Sequence, residues 1–372
     1  MSETLKYAID AMSNPPVLFT AIIAVFFFIF PPTDRLEKIN RRLRLDLIWS
    51  NAGALVLFTL MTLFLIFGMT DENFRLIVLK PDNVPIVALL YLTPFFLWLS
   101  MKQARGNDKR IEQGQKVDEH GSHDGQVLVW PDLVYIELIA LVLMSVLLVV
   151  WSLLLNAPLE EPANPTVSPN PSKAPWYFLG LQEMLVYFDP WIAGVVLPAL
   201  MVLGVMAIPY IDNNPKGQGY YSFSERKMAV SMFLACWLVL WIFLIILGTF
   251  LRGPNWNFFG PFEYRDAQKI VPLNNVNLSE YIYLIGLGMG LPQSILLREI
   301  WGILLVIGYF LLLPPLLAKT LLKRSYESLG SLRYSVFVVL TLVMVGVPIK
   351  MYLCWILNLK YIITIPEYFF NI

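Results

Sequence analysis

Eight long apolar stretches constrain this chain more than any other feature of its sequence. They are Pro16–Phe30, Leu47–Met69, Val84–Met101, Leu133–Leu155, Trp191–Ile211, Met228–Phe250, Ile300–Ala318 and Tyr334–Leu357. A helix needs roughly 20 mostly apolar residues to cross the ~30 Å hydrocarbon core of a bilayer. A ninth run, Tyr281–Leu296, contains glycines and a proline that weaken a free helix, so we expect it to be interfacial or re-entrant. The sequence therefore predicts an all-α integral membrane protein with about eight transmembrane helices.

The composition favours a lipid environment over water. Hydrophobic residues make up 57% of the chain and charged residues only 15%, whereas about 25% of the residues in a soluble domain are charged. The formal net charge is zero and the charges cluster between the apolar runs, which argues against a nucleic-acid partner, because such a partner needs a basic face that neutralises its phosphates. No Cys-x-x-Cys-His motif is present, which excludes covalent attachment of a c-type haem.

The basic residues predict the orientation of the helices, because cytoplasmic loops carry an excess of lysine and arginine. Every second connecting segment is rich in these residues, as between the first two stretches, where Arg35, Lys38, Arg41, Arg42 and Arg44 lie. The alternate segments contain few. This alternation predicts that both termini and the loop between the fourth and fifth stretches lie on the outer, electropositive side.

That outer loop carries the residues that point to chemistry. Its prolines, which end at Pro175, fix φ and remove donors, so the loop is expected to be extended and stiff. Trp176, Tyr177 and Phe178 then open a short amphipathic helix, expected at the interface, that contains Glu183. An aromatic quinol needs an apolar slot, hydrogen-bond partners and a base, which these residues could supply. Alternatively, the aromatic residues could be membrane anchors.

The loop resembles that of the cytochrome b C-terminal domain and of subunit IV of the chloroplast quinol-oxidising complex. The resemblance rests on Glu161-Pro162-Ala163-Asn164-Pro165, on Pro175-Trp176-Tyr177-Phe178, and on Pro131-Asp132-Leu133 at the start of the preceding helix. In that family this helix runs from the inner to the outer side, in agreement with the charge pattern. The resemblance implies a membrane subunit of a proton-translocating quinol:cytochrome c (or other acceptor) oxidoreductase, which is not catalytic alone.

The resemblance also implies a role for individual residues of the loop. Pro175, Trp176, Tyr177 and Phe178 would line the outer quinol pocket, with Tyr177 hydrogen-bonded to the quinol. The family motif is Pro-Glu-Trp-Tyr, and here Pro175 replaces the glutamate usually assigned as proton acceptor. Proline variants of the motif are associated with low-potential quinones, so menaquinone is favoured. Glu183, about two helical turns beyond Trp176, is our candidate for the missing acceptor.

A second, inner quinone or proton-uptake site is also predicted. Asp132 and Glu137 lie near the inner end of the fourth stretch, and Lys216 and Arg226 lie on an adjacent inner loop. Ionisable residues in membrane segments are functional candidates by default. Glu137 could instead lie close enough to the surface to be hydrated.

Three parts are expected along the chain. The first boundary is placed where a polar stretch ends, at Trp130. Residues 1–130 would be an N-terminal three-helix membrane extension with a polar inner loop. Residues 131–330 would be the quinol-site domain, and residues 331–372 the last transmembrane helix with an outer tail. Within the second part, the turn that begins at Arg252 is expected to cap a helix end, with docking of a partner protein as the alternative.

The histidines restrict what the chain itself can bind. Cytochrome b holds two haems between paired histidines on facing membrane helices, but this chain has only His120 and His123, both in the polar inner loop. The resemblance therefore implies that haem b lies on a separate cytochrome b N-terminal-like subunit, contacted but not ligated by this chain. We predict no metal ligands, although a His-x-x-His site is the alternative to a hydrated loop.

Further partners follow from the resemblance alone. They are a Rieske iron–sulfur protein as first electron acceptor, a c-type cytochrome subunit and membrane lipid, in a dimeric complex of the bacterial cytoplasmic membrane. Two other functions stay open. A haem-free quinone-binding anchor of the polysulfide-reductase type would explain the missing histidines but not the loop motif. A secondary transporter would predict inverted repeats and charges at the membrane midplane, and we find neither.

Overall fold

The structure is a computed structural model that describes residues 2–118, 128–155, 162, 164–166, 173–214, 219–272 and 274–372. Regular structure in these residues is almost entirely helical. The two described strands, Thr364–Ile365 and Phe370–Asn371, pair antiparallel close to the C-terminus. The prediction of an all-α integral membrane protein is confirmed.

Seven of the described helices are long and apolar enough to cross a membrane. They are Asn51–Gly68, Val84–Glu112, Val129–Leu154, Ile192–Ile211, Lys227–Leu251, Ile295–Lys319 and Lys323–Leu357. The shorter helices are Glu3–Met12, Pro15–Ile29, Asp34–Arg42, Glu72–Val78, Leu179–Met184 and Leu278–Glu280, with 3-10 turns at Leu45–Trp49, Trp176–Phe178, Pro254–Trp256 and Pro366–Tyr368. The seven long helices coincide with seven of the eight apolar stretches.

The first apolar stretch differs from the others. Glu3–Met12 and Pro15–Ile29 are two helices that meet at a bend of 77°. Proline at the start of the second helix is tolerated because the first turn does not need its N–H. This second helix has 15 residues, fewer than the roughly 20 that a crossing needs. Seven helices in the described part of the chain therefore qualify as spans, or eight if the bent pair is one span, in agreement with the predicted number.

Local sequence signals set the ends of several spans. The Ser50 hydroxyl accepts a hydrogen bond of 3.0 Å from the Gly53 backbone N–H and so caps the Asn51–Gly68 helix. The last span begins earlier than predicted, at Lys323, but breaks at Gly330, where φ is +74°. Its continuous part therefore starts close to the predicted residue, and it ends at Asn358 in the left-handed conformation.

The ninth apolar run does not form a span. A π-helical turn over Tyr281–Gly286 ends in a loop, and Gly288 adopts φ of +64° before the next helix starts at Ile295. Glycine accepts this left-handed conformation without the penalty that a Cβ atom brings. The glycines thus end the helix here, as the sequence indicated.

The described residues belong to two compact units. One unit comprises the described parts of residues 1–30, 170–217 and 231–372, and the other those of residues 31–169 and 218–230. The aromatic residues Trp176, Tyr177 and Phe178 lie in the first unit. The predicted division at residues 130 and 330 stays a prediction.

The core of the first unit is apolar and aromatic. Phe19 and Phe243 are buried, and their ring centroids are 4.8 Å apart. Leu244, the residue after Phe243, is buried as well. Leu179 packs so closely on the Lys227–Leu251 helix that a Cβ atom at Gly248 would lie 2.9 Å from its Cδ2 atom. Gly248 therefore permits the close approach that places the Leu179–Met184 helix.

Candidate functional site

The three aromatic residues predicted to line a pocket form one exposed turn. Trp176–Phe178 is a single 3-10 turn that leads into the Leu179–Met184 helix. Pro175 precedes it with φ of −50° and ψ of 145°, an extended conformation that keeps the helix from starting earlier. The rings of Trp176 and Tyr177 meet edge to face at 5.7 Å, and those of Tyr177 and Phe178 are 4.8 Å apart. We call Trp176–Phe178 the aromatic turn.

The aromatic turn is accessible although its rings are large. Trp176 is 38% exposed, Tyr177 50% and Phe178 52%. Three neighbouring rings at this exposure form an apolar surface to which a flat aromatic ligand can bind. The structure therefore brings together the predicted pocket residues of the loop.

Two polar contacts fix the chain just before the aromatic turn. The Ala174 N–H donates to the Gln182 side-chain oxygen at 2.8 Å, which joins the loop to its own helix. The Lys173 ammonium donates to the carbonyl oxygens of Thr249 at 2.7 Å and Arg252 at 3.2 Å. These carbonyls lie at the C-terminal end of the Lys227–Leu251 helix, where a cation is favourable because the last carbonyls lack intrahelical partners.

Glu183 lies on the buried side of the same short helix. It is 0% exposed. Arg252 donates from Nη2 to Oε1 at 2.6 Å and from Nε to Oε1 and Oε2 at 3.2 and 3.1 Å. The Trp256 indole N–H donates to Oε2 at 3.0 Å, and the Tyr187 hydroxyl donates to Oε1 at 3.1 Å. Glu183 is thus an ion-paired carboxylate with donors on both oxygens.

The protonation of the donors supports this arrangement. Burial, followed by the negative charge of Glu183, raises the pKa of the Tyr187 hydroxyl well above its ordinary value. Burial alone would lower the pKa of Arg252, but attraction to Glu183 outweighs it and the pKa is raised. Both residues therefore keep their protons and remain donors to the carboxylate.

The turn after the Lys227–Leu251 helix is shaped so that it reaches Glu183. Asn255 and Trp256 both adopt positive φ, 58° and 57°, which is uncommon for residues with a Cβ atom. Arg252 bonds the Trp256 carbonyl from Nη1 at 2.9 Å and so closes the turn on itself. This turn was expected to cap a helix end, and its bonds to Glu183 were missed because the two segments are far apart in sequence.

The residues predicted for an inner site are less fully described. The Asp132 carboxylate accepts a hydrogen bond of 3.2 Å from the Leu128 N–H, and Glu137 is exposed. Arg226 is half-buried. Lys216 lies outside the described residues, as do His120 and His123. Among the described residues, no group of three or more His, Cys, Asp or Glu side chains could hold a metal ion.

Known proteins resemble one part of the chain. Residues 162–261 match the family described as cytochrome b (C-terminal)/b6/petD. Cytochrome b of Acanthamoeba castellanii is 31% identical over 81 residues, which are 22% of this chain and 21% of that protein. The aligned part is thus about a fifth of that relative. No solved structure matches the chain.

The matched region contains the residues of this site. The aromatic turn, Glu183, Arg252 and Trp256 all lie within it, and so do the whole Ile192–Ile211 and Lys227–Leu251 spans. Together with the seven apolar helices, the match identifies the chain as a multi-pass membrane protein that carries a cytochrome b C-terminal-like domain.

Proposed function

We propose that this chain is a membrane subunit of a quinol-oxidising cytochrome bc-type complex, in which the aromatic turn forms a wall of the outer quinol pocket. The exposed cluster of Trp176, Tyr177 and Phe178, within the segment that matches the cytochrome b C-terminal family, supports this proposal. The rings are large and apolar, yet they are held in place by the polar contacts of Lys173 and Gln182.

The chemistry of a quinol assigns a role to each ring. Trp176 and Phe178 would bound an apolar slot for the flat head group, and the Tyr177 hydroxyl would hydrogen-bond one quinol oxygen. Pro175 would fix the extended entry to the turn and donate no hydrogen bond. The replacement of the family's glutamate by Pro175 makes menaquinol the substrate that we favour.

Haem b does not fit the residues of this chain. Paired axial histidines on membrane helices are needed for the haems of cytochrome b, and both histidines here lie between spans. We therefore assign haem b to a partner subunit and assign no step of the reaction to haem on this chain. The Val129–Leu154 helix offers a surface for this partner, because all residues from Tyr135 to Leu155 are exposed.

The remaining partners and the location belong to the same proposal. A Rieske iron–sulfur protein would take the first electron, and the partner's haems the second. A c-type cytochrome would complete the chain of carriers in a dimeric complex of the bacterial cytoplasmic membrane, with protons released outside. Asp132, Glu137, Lys216 and Arg226 would belong to an inner quinone site.

Oxidation of the quinol also releases protons, which need an acceptor. A general base must lie within hydrogen-bond reach of the proton that it accepts. Glu183 was predicted for this role, which stays a prediction. Protein donors occupy both of its oxygens in the structure, and these contacts favour a positioning role instead.

The experiment is to purify the intact complex in mild detergent and to record subunit masses, a redox difference spectrum and menaquinol-dependent reduction of an acceptor. We expect a b-type haem spectrum from a separate, histidine-rich subunit. The Trp176→Ala and Tyr177→Phe variants should lower turnover, the second by roughly three- to tenfold for one lost hydrogen bond. Tyr368→Phe is the matched control, since Tyr368 is 75% exposed and lies outside the matched region. A haem-free assembly, or aromatic-turn variants as active as the control, would refute the proposal.

A further inference from the structure

We infer that Glu183 and Arg252 are positioning residues whose ion pair fixes the aromatic turn against the end of the Lys227–Leu251 helix, and that Glu183 does not exchange protons with the substrate. The structural half of this inference is independent of the proposed function. The half that concerns substrate rests on the proposed quinol site.

Protein groups enclose the Glu183 side chain. The carboxylate is 0% exposed, and the Arg252 side chain is 11% exposed. Each oxygen of Glu183 accepts from Arg252 and from one neutral donor, Trp256 or Tyr187. A substrate proton could reach this carboxylate only if one of these bonds broke first. A base for quinol oxidation should instead face the pocket.

Two separate contacts bracket the aromatic turn. Lys173, before the turn, bonds the carbonyls of Thr249 and Arg252. Glu183, after the turn, bonds the side chains of Arg252 and Trp256. Both ends of the segment are thus tied to residues 249–256.

The packing agrees with a positioning role. Gly180 packs against the Trp241 ring, where a Cβ atom would lie 3.4 Å away in ordinary van der Waals contact, and Leu179 fills the space left by Gly248. The short helix therefore lies directly on the span, with the carboxylate on its buried side and the aromatic turn at its start. Moving Glu183 from Arg252 would move the helix, and with it the exposed rings.

A base and a positioning residue predict different behaviour of variants. If Glu183 is a base, Glu183→Gln removes the chemistry, whereas Arg252→Gln leaves the carboxylate available. If the pair positions the loop, each single change releases the same contact, and the double variant is hardly worse than either single one. The pH dependence of kcat then keeps its shape, because no titrating catalytic group has been removed.

The experiment compares Glu183→Gln, Arg252→Gln and the double variant in the intact complex, reconstituted in lipid nanodiscs. Hydrogen exchange of the peptide covering residues 173–187 reports on positioning. Turnover of a short-chain menaquinol against concentration and pH reports on catalysis. Glu367→Gln is the matched control, since Glu367 also makes a two-pronged pair, with Arg298 at 3.0 and 2.8 Å, but is 46% exposed.

We expect both single variants to exchange this peptide about tenfold faster or more, and to raise KM about fivefold or more with a smaller change in kcat. The double variant should lie within about twofold of the worse single one, and the control should exchange as the wild type does. If the complex fails to assemble with Gln at either position, Trp256→Phe removes a single donor and should give a smaller increase in exchange.

Three results would overturn the inference. The first is loss of kcat in Glu183→Gln with normal exchange, normal KM and a lost limb of the pH profile, which would identify a base. The second is additive effects of the two variants, and the third is unchanged exchange in all of them. Failure of the proposed quinol site would look different, because aromatic-turn variants would then keep normal turnover while the exchange coupling between Glu183 and Arg252 persisted.

Discussion

Two buried glutamates, one in each unit, are neutralised in different ways. Among the described residues, Glu183 is 0% exposed and has one cationic partner, Arg252, together with neutral donors. Glu37 is 6% exposed and has three cationic partners within the ranges that the structure describes. These are Lys227 at 2.6 Å, Arg41 at 3.0 Å and Arg105 at 3.5 Å.

The two sites differ in the number of cations that neutralise the carboxylate. Glu37 keeps two cations when a third is removed, and the Arg41 side chain is 59% exposed and therefore well hydrated. Glu183 would be left as an unpaired charge if Arg252 were removed. Breaking a buried pair from one side is far more costly than breaking an exposed one. A single-cation site gives a sharply defined geometry, which suits the positioning of a loop, whereas the Glu37 site tolerates change.

The largest expected effect is on the Glu183 site. Arg252→Leu should lower the free energy of unfolding of the first unit by about 3–5 kcal/mol, because the change leaves a buried carboxylate without its cation. Denaturant titration in detergent, followed by tryptophan fluorescence, measures it. A loss below about 1 kcal/mol would mean that the carboxylate finds water or another partner.

The next effect concerns the packing beneath the aromatic turn. Gly248→Ala should destabilise the first unit by about 1–3 kcal/mol, because its Cβ atom would crowd the buried Leu179 side chain. Gly106→Ala in the second unit is the matched change, since no described atom beyond its own turn of helix lies within 4 Å of its Cβ position. The Val84–Glu112 helix, which contains Gly106, should become more stable by about 0.5–1 kcal/mol, because alanine loses less conformational entropy on folding than glycine does. Equal effects at both glycines would contradict the close approach at Gly248.

A smaller effect is expected at the Glu37 site. Arg41→Gln should cost less than about 1 kcal/mol, since the pair is hydrated and Lys227 and Arg105 remain. The same denaturant titration applies. A cost as large as that of Arg252→Leu would remove the contrast between the two sites.

The pH dependence gives the finest test of that contrast. Burial alone would raise the pKa of Glu37, but its hydrogen bonds with Lys227 and Arg41 outweigh burial and lower the pKa below its ordinary value of 4.5. The folded state thus holds the ionised form more strongly than the unfolded chain does. The resulting stability is present above pH 4.5 and is lost as the pH falls through the lower, folded pKa.

Glu37→Gln should therefore flatten the decline in stability of the second unit in acid. Thermal unfolding of the wild type and the variant between neutral and acidic pH measures this. A decline that is equally steep in the variant would show that other carboxylates are responsible.

The sequence was most informative where the signal is local. Apolar length located seven spans within a few residues, except where a polar helix such as the end of Val84–Glu112 continues beyond the apolar run. Glycines predicted that Tyr281–Leu296 would not span. In the loop, Pro175 predicted the extended backbone just before the three aromatic residues, because its ring fixes φ.

The sequence was least informative where partners are distant along the chain. Glu183 and Arg252 are 69 residues apart, so no periodicity connects them. A usable signal did exist, since Glu183 is the one charged residue in Leu181–Leu185 and a carboxylate there needs a cation, and Arg252 follows directly after a span. Trp256 adopts a positive φ, which directs its indole toward Glu183. The residue type could not predict this conformation, because tryptophan rarely adopts it.

Contact between the aromatic turn and quinol can be measured by photolabelling. A photoreactive menaquinone analogue is bound to the intact complex in nanodiscs, irradiated and located by peptide mapping, with and without excess menaquinol. We expect label on the peptide containing Trp176, Tyr177 and Phe178, and we expect excess menaquinol to remove it. Label that is absent from this peptide and concentrated elsewhere on the chain or on other subunits would show that the aromatic turn does not bind quinol.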